Sequence, residues 1–573
     1  MCIFDSFTLE QASHMWQKEN TGKLLTEITN KNAFIKYDLR TKTYQTHNIF
    51  TNFLKDVLAS KNTDYSQDLY QKAAQWYMKT GEYLAAMHYF YISRDFDNLL
   101  VAVELDKGNS IHNEQKELFI RYFEECPQEK KQSHPVALLV YAMCLMTENE
   151  MELFTNVCGE FAGIIQSSTS LDDDTRNQLL GEFELLLSFT EYNDIMKMSA
   201  HHQTACALLQ EPAKFMDTRG SWTFGAPSVL YMFHRETDRL AKEVQELKET
   251  MPYYYQLTNG HGNGAEYVMV AEWYFNLGEF EDSEIAVHKA LYLASTHVQP
   301  EIAICAMFLQ VRLALIKGDF PYALYLFEKM RKEIKQKKMY ALIHTIDMCE
   351  GFIYASLKQS NRVPQWIADG DYRSSRLYFP AMAFSNIVYG RTLLITGDYL
   401  KLLRIAEQFI GIASVFPNLL ANIYTTIYIS AANERIYRRD EALTSLQQAL
   451  DMAMPDEVYM PFVENCDYIK PLLEELYSQG VYREDITRIL ELYKPYQKAM
   501  EQITREHFTE NKPKLTERET EIARLAAEGF SNKGIGERLF ISQNTVKTQL
   551  KSDFEKLGIN SRALLKQSLD EKK

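Results

Sequence analysis

From about residue 65 to residue 504, apolar side chains recur every three to four positions, the period of helices that bury one stripe. The interruptions are short and built on Gly, Asp or Asn, so helix is predicted nearly throughout. Residues 1–62 are patterned differently. Ala33-Phe34-Ile35-Lys36-Tyr37-Asp38 and Thr43-Tyr44-Gln45-Thr46 alternate around Leu39-Arg40-Thr41-Lys42, as the arms of a β-hairpin do. Phe50, Phe53, Leu54, Val57 and Leu58 then fall at helical spacing.

Within the helical stretch, four segments align as helix, tight turn, helix, with turn positions at 278, 318, 397 and 437. The spacings of 40, 79 and 40 predict a repeat near 40 residues with one degenerate unit in the middle. Small and large apolar residues follow each turn at helical spacing, as in Ala323, Phe327 and Met330, or Ala442, Leu446 and Ala449. Thr80-Gly81-Glu82-Tyr83, followed by Ala86 and Phe90, predicts that helical hairpins begin much earlier. The pattern resembles tetratricopeptide repeats, whose stacked helix pairs form a superhelix with a concave face.

At the C-terminal end the local signals cut out a compact helical unit. Thr516 and Glu519 form a T-x-x-E capping box ahead of Ile522, Leu525 and Ala526, and Gly529 stops the helix. Ser531 caps a short second helix to Leu539, and Ser542 caps a third to Leu557, with Gly558 as its stop. Asn560 opens a fourth through Leu564, Leu565 and Leu569. Phe540-Ile541-Ser542 is the tight link of a helix-turn-helix. On the third helix, Val546, Leu550, Phe554 and Leu557 share an inward face, while Lys547, Thr548 and Lys551 lie on another. Lys donors suit guanine O6 and N7, and a Thr methyl suits thymine, when such a helix enters the major groove.

Leu515-Thr516-x-Arg518-Glu519, Gly529-x-Ser531-Asn532-Lys533-x-Ile535, Leu539-x-Ile541-Ser542-x-x-Thr545-Val546-Lys547 and Lys556-Leu557-Gly558 together resemble the LuxR-type DNA-binding domain. The resemblance implies base reading by Lys547, Thr548 and Lys551, phosphate contacts from Asn532, Lys533, Ser542 and Thr545, and a fourth helix that can pair two protomers on DNA. Four positions depart from the family pattern. Gly534 and Gly536 replace Glu and Ala, at about 1 kcal/mol each relative to Ala in a helix. Gln549 replaces a common His, and Asp553 replaces an apolar residue that would face the core.

A module of this type behind a helical-repeat body resembles the large ATP-binding LuxR regulators of the maltose-regulon activator class. Residues 38–54 look like the end of the winged helix that follows their nucleotide-binding domain. That domain is not found here: the Gly22-Lys23 pair is followed by Leu24 and lacks the earlier Gly of a P-loop. Either the chain is a natural short form, or the upstream part lies outside this sequence. Nucleotide hydrolysis is not expected, no residues stand at catalytic spacing, and neither an enzyme nor a cofactor is expected.

Charge sharpens the division. The chain carries a net −15, but residues 513–573 hold 12 Lys and Arg against 9 Asp and Glu, a net of +3. The preceding 512 residues hold 50 against 68, a net of −18, so a basic module is joined to an acidic body. Eight cysteines are scattered without a C-x-x-C pair, which argues for buried apolar thiols in a reducing compartment. No apolar run spans a membrane and the first residues do not read as a signal peptide, so a cytoplasmic location is expected.

Three lesser signals remain. Asn259-Gly260-His261-Gly262-Asn263-Gly264 has no preceding strand and no following Lys, so a flexible connector is expected and not a phosphate loop. His201-His202 lacks ligand partners and is expected at the surface, and no metal site is expected. Trp222, Tyr253, Tyr254 and Tyr255 are the candidates for an aromatic ligand pocket.

The expected fold is all-α: a winged-helix-like remnant (1–62), a helical-hairpin region (63–260), tetratricopeptide-like repeats (261–504), a linker (505–513) and a four-helix LuxR-type helix-turn-helix domain (514–573). The expected function is a bacterial DNA-binding transcription regulator whose repeat body senses a ligand or partner protein. Double-stranded DNA, RNA polymerase and a small-molecule or protein inducer are the expected partners. The alternative is a non-catalytic helical-repeat adaptor with a decayed helix-turn-helix.

Overall fold

The computed structural model describes the chain except for residues 1–2, 5, 32–33, 62, 112–113, 169–170, 217–220, 338, 373–376, 378, 509–514, 516, 540, 558–561 and 563–573. It divides into two compact units, Met1–Gln497 and Lys498–Lys573.

The first unit starts with a three-stranded antiparallel sheet. β2 (Ile35–Asp38) and β3 (Thr43–Thr46) form the expected hairpin with Tyr37 opposite Tyr44, and its turn places Lys42 at φ 55°. β1 (Ser6–Phe7) adds to the free edge of β3. Two residues are too few to show alternation, which is why the sequence pattern misses this strand. Thr8 then caps the helix Leu9–Trp16 through a complete capping box with Gln11. Phe4, Phe7, Met15, Leu25, Ile35 and Tyr44 share one small core.

Through most of the rest of this unit, helices pack on their neighbours in sequence. The repeat turns sit where the spacing places them. Gly278, Gly318 and Gly397 adopt φ of 81°, 74° and 82°, and Tyr437 takes the same left-handed geometry at 62°. Small residues after the turns let paired helices approach: Ala323, Ala442 and Ala449 are completely buried, and the Ser283 and Ser430 hydroxyls donate across to Ala271 and Ala442 carbonyls at 2.8 Å. At the skipped position in the spacing, the helix Ile343–Ser356 is followed by a 3-10 turn (Ser360–Arg362) and the short helix Gln365–Asp369, with Pro364 just ahead of it. Among the described residues no full second helix follows there.

The first helices of the repeats, such as Pro300–Ile316, Met382–Thr396 and Leu419–Arg435, are buried on nearly every face. A helix apolar all round needs cover beyond its repeat partner. The chain itself supplies that cover with two segments. One is the helix Met460–Ser478, whose Glu464 pairs with Arg312 at 2.8 Å and accepts from the Tyr424 hydroxyl at 2.7 Å, while Asn465 accepts from Arg391 at 2.9 Å. The other is residues 221–240, largely irregular up to Arg239. Asn418 donates to the Tyr231 carbonyl at 2.7 Å, the His234 carbonyl accepts from Leu419 at 3.0 Å, and His234 is fully buried against Glu243. Part of the cover on these first helices is thus supplied by this chain's own residues.

Glu272 lies under the second segment and accepts backbone N–H bonds from Val229 (3.0 Å) and Leu230 (2.7 Å). Burial pushes its carboxyl up from 4.5 to about 7, against the pull of those donors and of Arg312. The folded protein therefore holds this proton more tightly than the unfolded chain. Its stabilising contribution is complete below pH 4.5 and is lost as pH rises through about 7, by on the order of 3 kcal/mol. Glu272→Gln, which stays neutral, is expected to flatten that part of the stability profile in urea denaturation between pH 5 and 8.

Candidate functional site

In the second unit the helix Glu517–Ala527 ends at Gly529, whose φ of 93° lets its own N–H reach the Ala526 carbonyl and the Phe530 N–H reach Leu525, both at 3.1 Å. Ser531 caps the second helix, Asn532–Leu539, by accepting from the Gly534 N–H at 3.1 Å. Ser542 caps the third, Gln543–Leu557, by accepting from the Thr545 N–H at 3.0 Å. Ile522, Ala523, Ala526, Ile535, Leu539, Val546 and Leu550 close the core between them. The Thr516 half of the first capping box, the Gly558 stop, the Leu557 side chain and the fourth helix from Asn560 lie outside the described residues.

The turn between the second and third helices corrects one expectation. Ile541 donates to the Gly536 carbonyl at 3.0 Å, and a Cβ on Gly536 would stand 2.6 Å from the Ile541 carbonyl oxygen. Gly536 is required by this close backbone approach and is not simply a weak point. A Cβ on Gly534 would meet nothing nearer than the Ser531 hydroxyl at 3.4 Å. Gly534→Ala is expected to stabilise the module by about 1 kcal/mol and Gly536→Ala to destabilise it by about 1–3 kcal/mol, read from chemical denaturation.

Asp553 is fully buried, as its core-facing position implies, and Gln549 stands beside it. The Gln549 amide donates to Glu519 at 2.7 Å and reaches Asp553 at 3.5 Å, so two of the departures from the family pattern sit together in one polar contact between the first and third helices. The sequence reading also misses Arg562, which donates to the carbonyls of Ala526 and Phe530 and to the Asn532 side chain. It ties a distant residue to the start of the second helix, a contact that no local pattern announces.

Lys547, Thr548 and Lys551 are exposed together on the third helix, beside the buried Val546 and Leu550. Neither lysine has an ion-pair partner among the described residues. The Thr548 hydroxyl donates to the Asn544 carbonyl at 3.0 Å. Lys533 is 75% exposed, 4.0 Å from Glu537. Asn532 uses its oxygen for Arg562, leaving its amide N–H groups as donors. Ser542 and Thr545 share a hydroxyl–hydroxyl bond of 2.8 Å at the exposed N-terminus of the third helix.

In the first unit, residues 221–225 form one wall of a cavity. Buried Glu301 holds them by accepting from the Ser221 hydroxyl (2.7 Å) and from the backbone N–H groups of Trp222, Thr223 (2.9 Å) and Gly225 (2.9 Å). Burial raises the Glu301 carboxyl above its usual range, and these donors draw it back. The stretch 259–264 is a correction: it is a closely bonded turn and not a loose connector. Gly262 donates to Gln299 at 2.9 Å, and a Cβ there would lie 2.4 Å from the Trp222 ring. Trp222 and Tyr254 line the cavity, whereas Tyr253 is 41% exposed and Tyr255 bonds Glu266, and neither lines it. His202, expected at the surface, is buried and also lines it; His201 bonds Glu184 at 2.7 Å.

Among the described residues no helix is long and apolar enough to cross a membrane, and no group of three or more His, Cys, Asp or Glu is placed to hold a metal.

Residues 513–567 match the family of bacterial regulatory proteins, luxR family, and residues 1–66 match the MalT winged helix domain. The HTH-type transcriptional regulator MalT of Vibrio cholerae is 20% identical over 619 residues, covering 98% of this chain and 68% of that protein. The spore germination protein GerE of Bacillus subtilis is 37% identical over 54 residues, 9% of this chain and 73% of GerE. The transcriptional regulatory protein LiaR of the same organism is 52% identical over 48 residues, 8% of this chain and 23% of LiaR. The two short matches speak for the C-terminal module, and the MalT match runs through the body as well. The chain belongs to the luxR family of bacterial regulatory proteins and is a transcriptional regulator with a LuxR-type helix-turn-helix.

Proposed function

We propose that the third helix of the C-terminal unit enters the major groove of duplex DNA and reads bases through Lys547, Thr548 and Lys551. The observation that carries this reading is the exposure of these three side chains, two of them cations with no ion-pair partner among the described residues, on the face beside the buried Val546 and Leu550. Phosphates are held by Lys533, the Asn532 amide, the Ser542–Thr545 hydroxyl pair and the first N–H groups of the third helix. The preceding body, with its helical-hairpin region (63–260) and repeats (261–504), holds a small molecule in the cavity at Trp222 and Tyr254 and sets whether the module engages its site in the cytoplasm and recruits RNA polymerase.

Anisotropy titrations of the full chain against labelled duplexes test the DNA half of the reading. Log affinity is expected to fall linearly with log salt between about 50 and 200 mM, with a slope near −0.9 for each phosphate neutralised. A salt-independent or undetectable interaction would favour an adaptor that works through protein contacts.

A further inference from the structure

We propose that the cavity between residues 221–225 and the helix Ile195–Leu208 takes a small uncharged molecule with one apolar ring or short chain and a single polar head that both donates and accepts a hydrogen bond, as a phenol or alcohol does. This deepens, and rests on, the reading of the body as a ligand sensor.

No Asp, Glu, Lys or Arg is among the described residues that line the cavity. An ion brought there would leave water without gaining a counter-charge, which costs several kcal/mol. Met143, Met146, Met198, Met216, Met232 and Met251 contribute six thioethers, and Phe189, Phe224, Phe233 and Phe416 join Trp222 among the rings. Thioethers adapt to irregular apolar shapes and contact aromatic rings well. The cavity volume is about 80 Å³. One water needs roughly 10–15 Å³, so the space suits roughly five to eight non-hydrogen atoms.

The polar groups on the lining select the head of the ligand. The hydroxyls of Thr147, Thr250 and Ser221 already donate to the Cys144 carbonyl, the Leu247 carbonyl and Glu301. His202 differs. It is 6% exposed, and its Nε2 lies 3.1 Å from the Ser188 hydroxyl oxygen. The Ser188 hydrogen is committed to the Leu185 carbonyl at 2.6 Å, so Ser188 can only accept and Nε2 must be the donor. Burial holds the ring neutral, with its pKa pushed down to about 3. Nδ1 is then a lone-pair acceptor, and no described residue donates to it. Trp222 Nε1–H is a donor with no acceptor among the described residues. A ligand that satisfies both groups brings a hydrogen for Nδ1 and a lone pair for the indole, and one hydroxyl supplies the two.

Calorimetric titration of the full chain with p-cresol, toluene, benzoate, benzylamine and a neutral trisaccharide tests the assignment, with affinity for a labelled DNA duplex measured alongside. p-Cresol is expected to bind roughly tenfold more tightly than toluene, and the two ions and the trisaccharide to give no binding in the same range. His202→Phe removes the acceptor and keeps the ring. It is expected to abolish the preference for p-cresol while toluene still binds, and retained toluene binding certifies an intact cavity. Equal binding of benzoate or benzylamine, binding of the trisaccharide alone, or no binding by any of the five overturns the ligand class. p-Cresol binding that leaves DNA affinity unchanged keeps the class and overturns the sensor reading on which it rests.

Discussion

Replacing Lys547 and Lys551 together by alanine is expected to lower affinity for a preferred duplex by on the order of 10²–10³-fold, since a well-placed side chain at a base edge discriminates by about 1–3 kcal/mol. Both side chains are exposed and make no ion pair among the described residues, and alanine is the better helix former, so the fold should not suffer. The loss should fall mainly on the preferred sequence. Lys533→Ala offers the contrast: as a phosphate contact it should weaken all duplexes alike and reduce the salt slope by about one. Competition anisotropy with preferred and scrambled duplexes separates the two outcomes, and a uniform loss from the double variant would move Lys547 and Lys551 from base reading to phosphate holding.

Glu301→Ala is expected to cost about 3–6 kcal/mol of stability in urea denaturation of the full chain. The carboxylate accepts from three backbone N–H groups and one hydroxyl in a segment with almost no regular structure. Each buried N–H left without an acceptor costs about 1–3 kcal/mol. Glu301→Gln keeps one carbonyl oxygen and should fall between the variant and the parent. Because Glu301 is what fixes Trp222 over Gly262, loss of the carboxylate should also shift Trp fluorescence at denaturant concentrations well below the main transition. An unchanged midpoint would mean that residues 221–225 are held by packing alone.

The elements that local chemistry specifies were readable from the chain. Left-handed turn positions at 278, 318 and 397 favour glycine, Ser531 and Ser542 are hydroxyl caps at fixed offsets, and the buried stripe of Val546 and Leu550 dictates which lysines face outward. What escaped depends on residues far apart in sequence. Glu301 stands 76–80 positions from the groups it holds, Arg312 and Glu464 are 152 apart, and Arg562 reaches back 30–36 positions. Helical periodicity marks Glu301 and Glu464 only as polar residues on helices, and nothing local says that an irregular segment will cover them. His202 escaped for the same reason: its burial comes from Tyr254, whose ring packs against it from another helix. Gly536 was misjudged because its value lies in the approach of the Ile541 carbonyl, a contact across the turn that helix propensity does not register. Of the aromatic cluster, Trp222 and Tyr254 line the cavity. Tyr253 and Tyr255 are adjacent in sequence to Tyr254, and successive helical positions turn to different faces.

Selection of genomic fragments by the purified full chain, in parallel with the Lys547→Ala/Lys551→Ala variant, tests the central claim most directly. Enrichment of a shared sequence motif by the parent chain, lost in the double variant, is the expected result. Fragments without a shared motif, or the same motif recovered by both proteins, would contradict the assignment of the third helix to the major groove.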